Sequence, residues 1–125
     1  MTDHKGRIYV TGSFKRDYKN LSKKHADLSH LKSALDALLS DDRNTLSTKY
    51  RDHALVGQWQ GFRELHVNKD TLLVYRTRGT VVAVVAVRLA SHDILFSKAI
   101  TARDIREYLR EAEELFKRIE ERNNI

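Results

Sequence analysis

The chain has 125 residues, of which 41% are apolar and 32% charged, a composition that suits one compact domain with a modest core. It contains no cysteine, which excludes a disulfide framework and thiolate metal sites. The longest apolar run, Val81 to Val87, is too short to span a bilayer and no apolar run opens the chain, so the sequence reads as a soluble, cytoplasmic protein without a membrane partner. The net charge of +6 favours a polyanionic partner, because basic surfaces gain affinity for phosphates by releasing counterions. That charge belongs to the body: residues 1–100 carry 17 Lys/Arg against 10 Asp/Glu, and residues 101–125 carry 6 against 7.

Arg7 to Thr11 is β-branched and aromatic enough for a first strand, which Gly12 and Ser13 interrupt. Phe14, Tyr18 and Leu21 then form one apolar stripe of a short helix whose other faces carry Lys15, Arg16, Lys19, Lys23 and Lys24. Lys15 and Lys19 are candidate RNA contacts, although such a face also serves simply as a solvated surface. After a joint at His25 to Asp27, Leu28, Leu31, Leu35 and Leu38 predict a second helix, with Asp27 capping its first turn and Ser40-Asp41-Asp42 ending it.

Residues 41–61 read as a long connection anchored by Leu46, Tyr50, Leu55 and Trp59, and loops of that length are commonly functional. Phe62 to Val67 and Thr71 to Arg76 predict two strands joined by a turn at Asn68-Lys69-Asp70. Thr77-Arg78-Gly79 turns the chain again before Thr80 to Leu89, whose near-continuous valines suit a central strand covered on both sides. Residues 101–123 predict a last helix, with a capping box of Thr101 and Asp104 and an apolar line of Ile105, Leu109, Ala112, Phe116 and Ile119. Glu113 with Lys117 and Glu114 with Arg118 are expected pairs one turn apart. The predicted order is βααβββ with an extra C-terminal helix, and the predicted organisation is a domain over 1–100 with an extension of the same domain over 101–125.

Polar groups suited to acid–base chemistry concentrate between Tyr50 and Tyr75, with a second island at Ser91 to Phe96. Cleaving RNA needs a base for the ribose 2′-hydroxyl, an acid for the departing 5′-oxygen and cations for the phosphate, and imidazole titrates in the right range for both proton transfers. His53, His66, His92 and Asp70, with the guanidinium groups of Arg63 and Arg88 as possible phosphate clamps, supply those groups. No metal or other cofactor is called for. There is no HExxH motif and no histidine pair at helical spacing, and neither a nucleophile elbow nor a phosphate-binding glycine loop occurs. Trp59 is either a core anchor or a stacking platform, and Phe96 either stacks on a base or closes the core.

The run from Tyr50 to Tyr75, with its spaced DH, L, G, W, GFR, H, D and LLVY, resembles the YafQ-like branch of the RelE toxin superfamily, and so do Phe14 to Lys19, KKHADLSHLK, and Arg88 with SHDILF. The resemblance covers about residues 7–96. It implies an α+β fold of the small microbial ribonuclease type, two helices followed by a curved antiparallel sheet. It further implies an mRNA interferase of a toxin–antitoxin pair that cuts message in the ribosomal A site, with a cognate antitoxin as partner. The family's catalytic set falls on His53, His66, Asp70 and His92, with Phe96 at the substrate stack. Ala54 stands where proline is common after DH, Ala90 stands where glycine usually precedes the Ser/Thr-His pair, and the tail after the LF pair is longer than is usual. A silent RNA- or ribosome-binding module of the same fold is the alternative, against which the retention of all four polar groups argues.

Overall fold

The computed structural model describes residues 7–78 and 83–123. In chain order it contains β1 (Arg7–Val10), α1 (Gly12–Lys23), α2 (Leu31–Leu39), α3 (Arg43–Thr48), β2 (His53–Ala54), a 3₁₀ turn (Gly57–Trp59), β3 (Arg63–His66), β4 (Leu72–Arg78), β5 (Ala83–Ala90), α4 (His92–Leu95) and α5 (Ala102–Asn123). The α+β class and the order of the main elements are those expected.

Five strands form one sheet in the order β1-β5-β4-β3-β2. Every pairing is antiparallel except that of β1 with β5, which is parallel, so the expected antiparallel sheet is mixed at one edge. The valine-rich β5 lies inside the sheet, as a strand without a polar face must. One face, carrying Leu65, Leu73, Tyr75, Val84, Ala86 and Leu89, packs under Phe14, Leu31, Ala34, Leu38, Leu46 and Tyr50 from α1, α2, α3 and the residues after it. The opposite face, carrying Leu72, Val74, Val85 and Val87, packs under Trp59, Phe62, Leu95, Ile105, Tyr108, Ala112 and Phe116.

Several local expectations are corrected. The connection over 41–61 is not structureless: it holds α3, capped by Asp42, whose side chain accepts from the Thr45 amide, followed by β2 and the 3₁₀ turn. The second helix begins at Leu31, and the Asp27 carboxylate accepts from the Ser29 amide, an Asx turn ahead of the helix in place of a cap. β4 continues through Arg78, and of the expected strand over Thr80–Leu89 the residues 80–82 lie outside those described. Gly57 and Gly61, at φ 65° and 97°, bracket Trp59 with turns. A Cβ at Gly61 would stand 2.7 Å from the Arg76 guanidinium, so only glycine fits there without displacement.

The strand pair β4–β5 slips register between Val74 and Tyr75. Val74 faces Arg88 while Tyr75 faces Ala86, leaving Val87 as the extra residue of a β-bulge. Val87 and Arg88 consequently fall on the same face. The bulge also presents backbone groups beyond the end of β1, and α1 with its cap takes them up: the Thr11 hydroxyl donates to the Val87 carbonyl at 2.8 Å, and the Leu89 amide donates to the Asp17 carboxylate at 2.8 Å.

The tail folds as its periodicity predicts. Thr101 and Asp104 form the reciprocal capping box, with the Thr101 amide donating to Asp104 at 2.9 Å and the Asp104 amide donating to the Thr101 hydroxyl at 3.2 Å. Ile105, Tyr108, Ala112 and Phe116 are buried against the sheet, with Leu109 and Ile119 half-buried beside them. Burial on this scale contributes about 1.5–3 kcal/mol for each large side chain before ordering costs. Glu114 pairs with Arg118 at 3.9 Å, but Glu113 reaches away from Lys117 to Arg76 and Arg78 on β4, where it ties the helix to the sheet.

Candidate active site

The strand register brings three titratable side chains together. His53 on β2 pairs across the strands with Glu64 on β3, and His66 lies two residues beyond Glu64, so all three project from one face. Glu64 is only 4% exposed. Its Oε1 stands 3.1 Å from His53 Nε2 and 3.9 Å from His66 Nε2, and its Oε2 has no hydrogen-bond partner. The other His53 nitrogen, Nδ1, lies 2.8 Å from the Arg51 carbonyl. Both ring nitrogens therefore face acceptors, an arrangement fully satisfied when both carry protons.

His66 is pinned by its backbone, whose amide donates to the Tyr50 carbonyl at 2.7 Å. Burial lowers its pKa below the ordinary imidazole range, Glu64 pulls it partly back, and positive charge at Arg51, His53 and His92 lowers it. The rings of His53 and His66 lie 6.3 Å apart. His92 opens α4, where the Ser91 hydroxyl caps the turn by accepting from the Ile94 amide. Its side chain is 72% exposed and packs on Phe96 at 4.7 Å between ring centroids. Phe96 in turn meets the edge of Trp59 at 6.1 Å and remains 39% exposed, so it both flanks the core and faces solvent. Trp59 is a core anchor, stacked on Tyr108 and edge-on to Phe62. A cleft of about 600 Å³ runs beside Phe96, with Val56, Trp59 and Ile100 among its walls.

The remaining candidates are placed differently. Asp70 sits in the turn after β3, where its amide donates to the Asn68 side chain at 2.8 Å, and among the described residues its exposed carboxylate pairs with no cation. Arg63 faces the other side of the sheet from Glu64 and donates to Asp52 at 2.8 Å. Asp52 also accepts from Arg43 at 3.4 Å and from the Tyr75 hydroxyl. The Asp52 bond raises the Arg63 pKa further, and burial with the Asp52 hydrogen bond pushes the Tyr75 phenol upward, so both partners stay protonated. Arg88 is bidentate on Asp17, at 2.6 Å from Nε and 3.0 Å from Nη2, and its third nitrogen donates to the Tyr108 hydroxyl on α5 at 2.7 Å. Both guanidinium groups are thus committed inside the protein. Lys15 and Lys19 are exposed on α1.

Glu64 was not among the residues singled out from sequence. Its signal was its spacing of two from His66 on a strand, but a buried carboxylate becomes recognisable only once His53 arrives beside it from β2. Among the described residues no group of three or more His, Asp or Glu side chains meets the geometry of a metal site, and no helix is long and apolar enough to cross a membrane.

Residues 6–97 match the family model described as the bacterial toxin of type II toxin–antitoxin systems, YafQ. The chain is 36% identical to the mRNA interferase toxin YafQ of Escherichia coli strain K12 over 69 residues, which are 55% of this chain and 74% of that protein. Its fold is similar to that of the toxin in the crystal structure of the E. coli DinJ–YafQ toxin–antitoxin complex, with a TM-score of 0.59 and 32% identity over 74% of this chain and 99% of the other. It is also similar to a metal-bound toxin from Helicobacter pylori, with a TM-score of 0.61 and 37% identity over 71% and 97%. The helix α5 lies beyond the matched family region. Sequence and fold agree over the same body of the molecule, and the chain belongs to the YafQ family of bacterial type II toxin–antitoxin toxins.

Proposed function

We propose that this protein is an endoribonuclease that cuts mRNA in the ribosomal A site by attack of the ribose 2′-hydroxyl on the adjacent phosphorus. The new 2′-oxygen–phosphorus bond forms as the bond to the 5′-oxygen breaks, leaving a cyclic phosphate and a 5′-hydroxyl. The observation that carries this reading is the convergence of His53, Glu64 and His66 on one sheet face.

In this reading His66 is the base. Its burial favours the neutral imidazole, which is the form that accepts the 2′-hydroxyl proton. Asp70, at the nearby turn, supports proton removal from the solvent side. His92 is the acid that protonates the 5′-oxygen; its exposure lets it meet a substrate that lies over Phe96. His53, oriented by the Arg51 carbonyl and Glu64, offsets charge at the phosphorus. Phe96 stacks on a base and Lys15 and Lys19 meet RNA on α1, while Arg63 and Arg88, each held by a carboxylate, brace the scaffold rather than clamp phosphate. No step requires a metal or cofactor. A cognate antitoxin, by analogy with the DinJ–YafQ complex, blocks access of message to this site.

The test is single-turnover cleavage of ribosome-bound message by His92→Ala. Because the side chain is exposed, the variant should fold and bind as the parent does, while the rate falls by roughly 10²–10⁴-fold, the usual worth of a general acid. An unchanged rate at saturation would remove His92 from this role. A parent that binds ribosomes without cutting would establish the silent module instead, and activity that tracks a metal bound by the purified protein would replace the imidazole mechanism.

A further inference from the structure

A second groove, of about 370 Å³, opens beside His66 and has no acidic wall: its lining includes His30, Lys49, Tyr50, Arg51, His66 and Lys69, and no carboxylate. The acids nearest in sequence are absent from that lining. Asp27 accepts from the Ser29 amide, Asp52 holds Arg63 and Arg43, Glu64 lies behind the histidines, and Asp70 is exposed on the turn. Arg43, Arg63, Arg76, Arg78 and Arg88 each have a carboxylate partner. Lys49, Arg51 and Lys69 have none among the described residues. Lys49 instead lies over the Tyr50 ring at 5.3 Å, and the Tyr50 hydroxyl is buried without a hydrogen-bond partner.

The backbone at Arg51 adds a second observation. At φ 52° it is left-handed, and it turns the chain out of α3 into β2 while the next amide, of Asp52, bonds the Leu46 carbonyl at 2.9 Å. Glycine or asparagine meets such a position most cheaply, and another residue there is strained. The residue present is an arginine whose carbonyl aligns His53 and whose side chain lines the groove. Its charge is close enough to lower the His66 pKa.

We propose that Lys49, Arg51 and Lys69 form a subsite for the RNA backbone, holding a phosphate next to the one cleaved at His66. The inference rests on the endonuclease reading for what lies at His66, but the groove's preference for phosphate follows from its own cations. An RNA strand is favoured over an acidic protein segment because His66, the proposed base, itself lines the groove beside the three cations.

The test measures binding of a labelled single-stranded oligoribonucleotide, made uncleavable by 2′-O-methylation, across a series of salt concentrations. Lys49→Ala/Lys69→Ala should weaken binding and lower the slope of log affinity against log salt by up to roughly 0.7, the share of the one phosphate of a single strand that the groove then leaves unneutralised. Lys32→Ala/Lys117→Ala removes the same charge elsewhere and should leave the slope near that of the parent. On ribosome-bound message, the groove variant should need more protein for half-saturation yet cut at the parent rate when saturated. Arg51→Lys should retain most affinity, as it keeps the charge. The proposal is overturned if the groove variant binds the oligonucleotide as the control does. It is equally overturned if only affinity for vacant ribosomes or for a polyglutamate peptide falls. A parent that binds the oligonucleotide with the expected slopes but never cuts would refute the nuclease reading and leave the groove standing; a parent that does not bind it at all would refute the groove.

Discussion

Two carboxylates are buried on opposite faces of the same sheet, and they are treated in opposite ways. Asp52, with its side chain 3% exposed, is saturated by groups that stay protonated: Arg63, Arg43 and the Tyr75 phenol. Glu64, with its side chain 6% exposed, has only imidazoles near one oxygen and no partner on the other. A buried charge is tolerated when it is paired and hydrogen-bonded. Asp52 meets that condition at any physiological pH, whereas Glu64 meets it only according to how many protons its neighbours carry. The first carboxylate holds structure, and the second is positioned between two imidazoles.

The largest effect should come from breaking the saturated cluster. Asp52→Ala strands Arg63 and leaves the Tyr75 hydroxyl without its acceptor, and should cost about 3 kcal/mol in urea unfolding, the lower part of the range for a broken buried pair because Arg63 retains some solvent. A loss within about 0.5 kcal/mol, the ordinary scatter of surface substitutions, would abolish the contrast. Glu64→Gln should instead change stability by no more than about 1 kcal/mol, since it removes a charge whose hydrogen bonding is incomplete. Its signature lies in the pH dependence of cleavage. Glu64 holds the His66 pKa up against burial, so its neutralisation lowers that pKa further and should move the acid limb of the rate profile to lower pH. A limb that stays in place would sever Glu64 from His66.

The smallest effect sharpens the same point through folding. His66 has a depressed pKa in the folded chain and an ordinary one, near 6.5, when unfolded. Between those values the unfolded state binds more protons, so stability rises with pH across the window and is lost as pH falls from the ordinary value through the folded one. Comparing urea midpoints of the parent and His66→Gln at neutral and mildly acidic pH isolates this contribution. It should vanish in the variant, and a parent whose stability rose on acidification through this window would contradict it.

Much of this was legible in the sequence where the signal is local. The β3–β4 hairpin announces itself by alternation around Asn68-Lys69-Asp70, and the docking line of α5 by spacings of three and four. Short elements escaped notice because they bury little: α3 contributes only Leu46 to the core, and β2 is two residues long. The bulge at Val87 was hidden by its own composition, since a strand of valines is equally apolar in either phase. Similarly, Arg88 and Arg63 carry the chemistry of phosphate ligands, but whether a guanidinium is free depends on partners such as Asp17, which lies 71 residues away from Arg88. His53 and His66 could be proposed from residue type alone; the carboxylate between them required the register.

The parallel pairing of β1 with β5 has a consequence in time. Arg7 pairs with Ala83, and the Thr11 side chain with the Val87 carbonyl, 76 residues later. At about 5–20 residues per second, ribosomal synthesis leaves β1 without its partner strand for roughly 4–15 s. His53, Glu64 and His66 emerge on a hairpin that can form from nearby chain, whereas His92 and Phe96 follow β5. The same late strand that closes the sheet therefore also delivers the last members of the site. A nascent copy still tethered to the ribosome that makes it therefore lacks His92 and Phe96 until the strand that closes the sheet has been made.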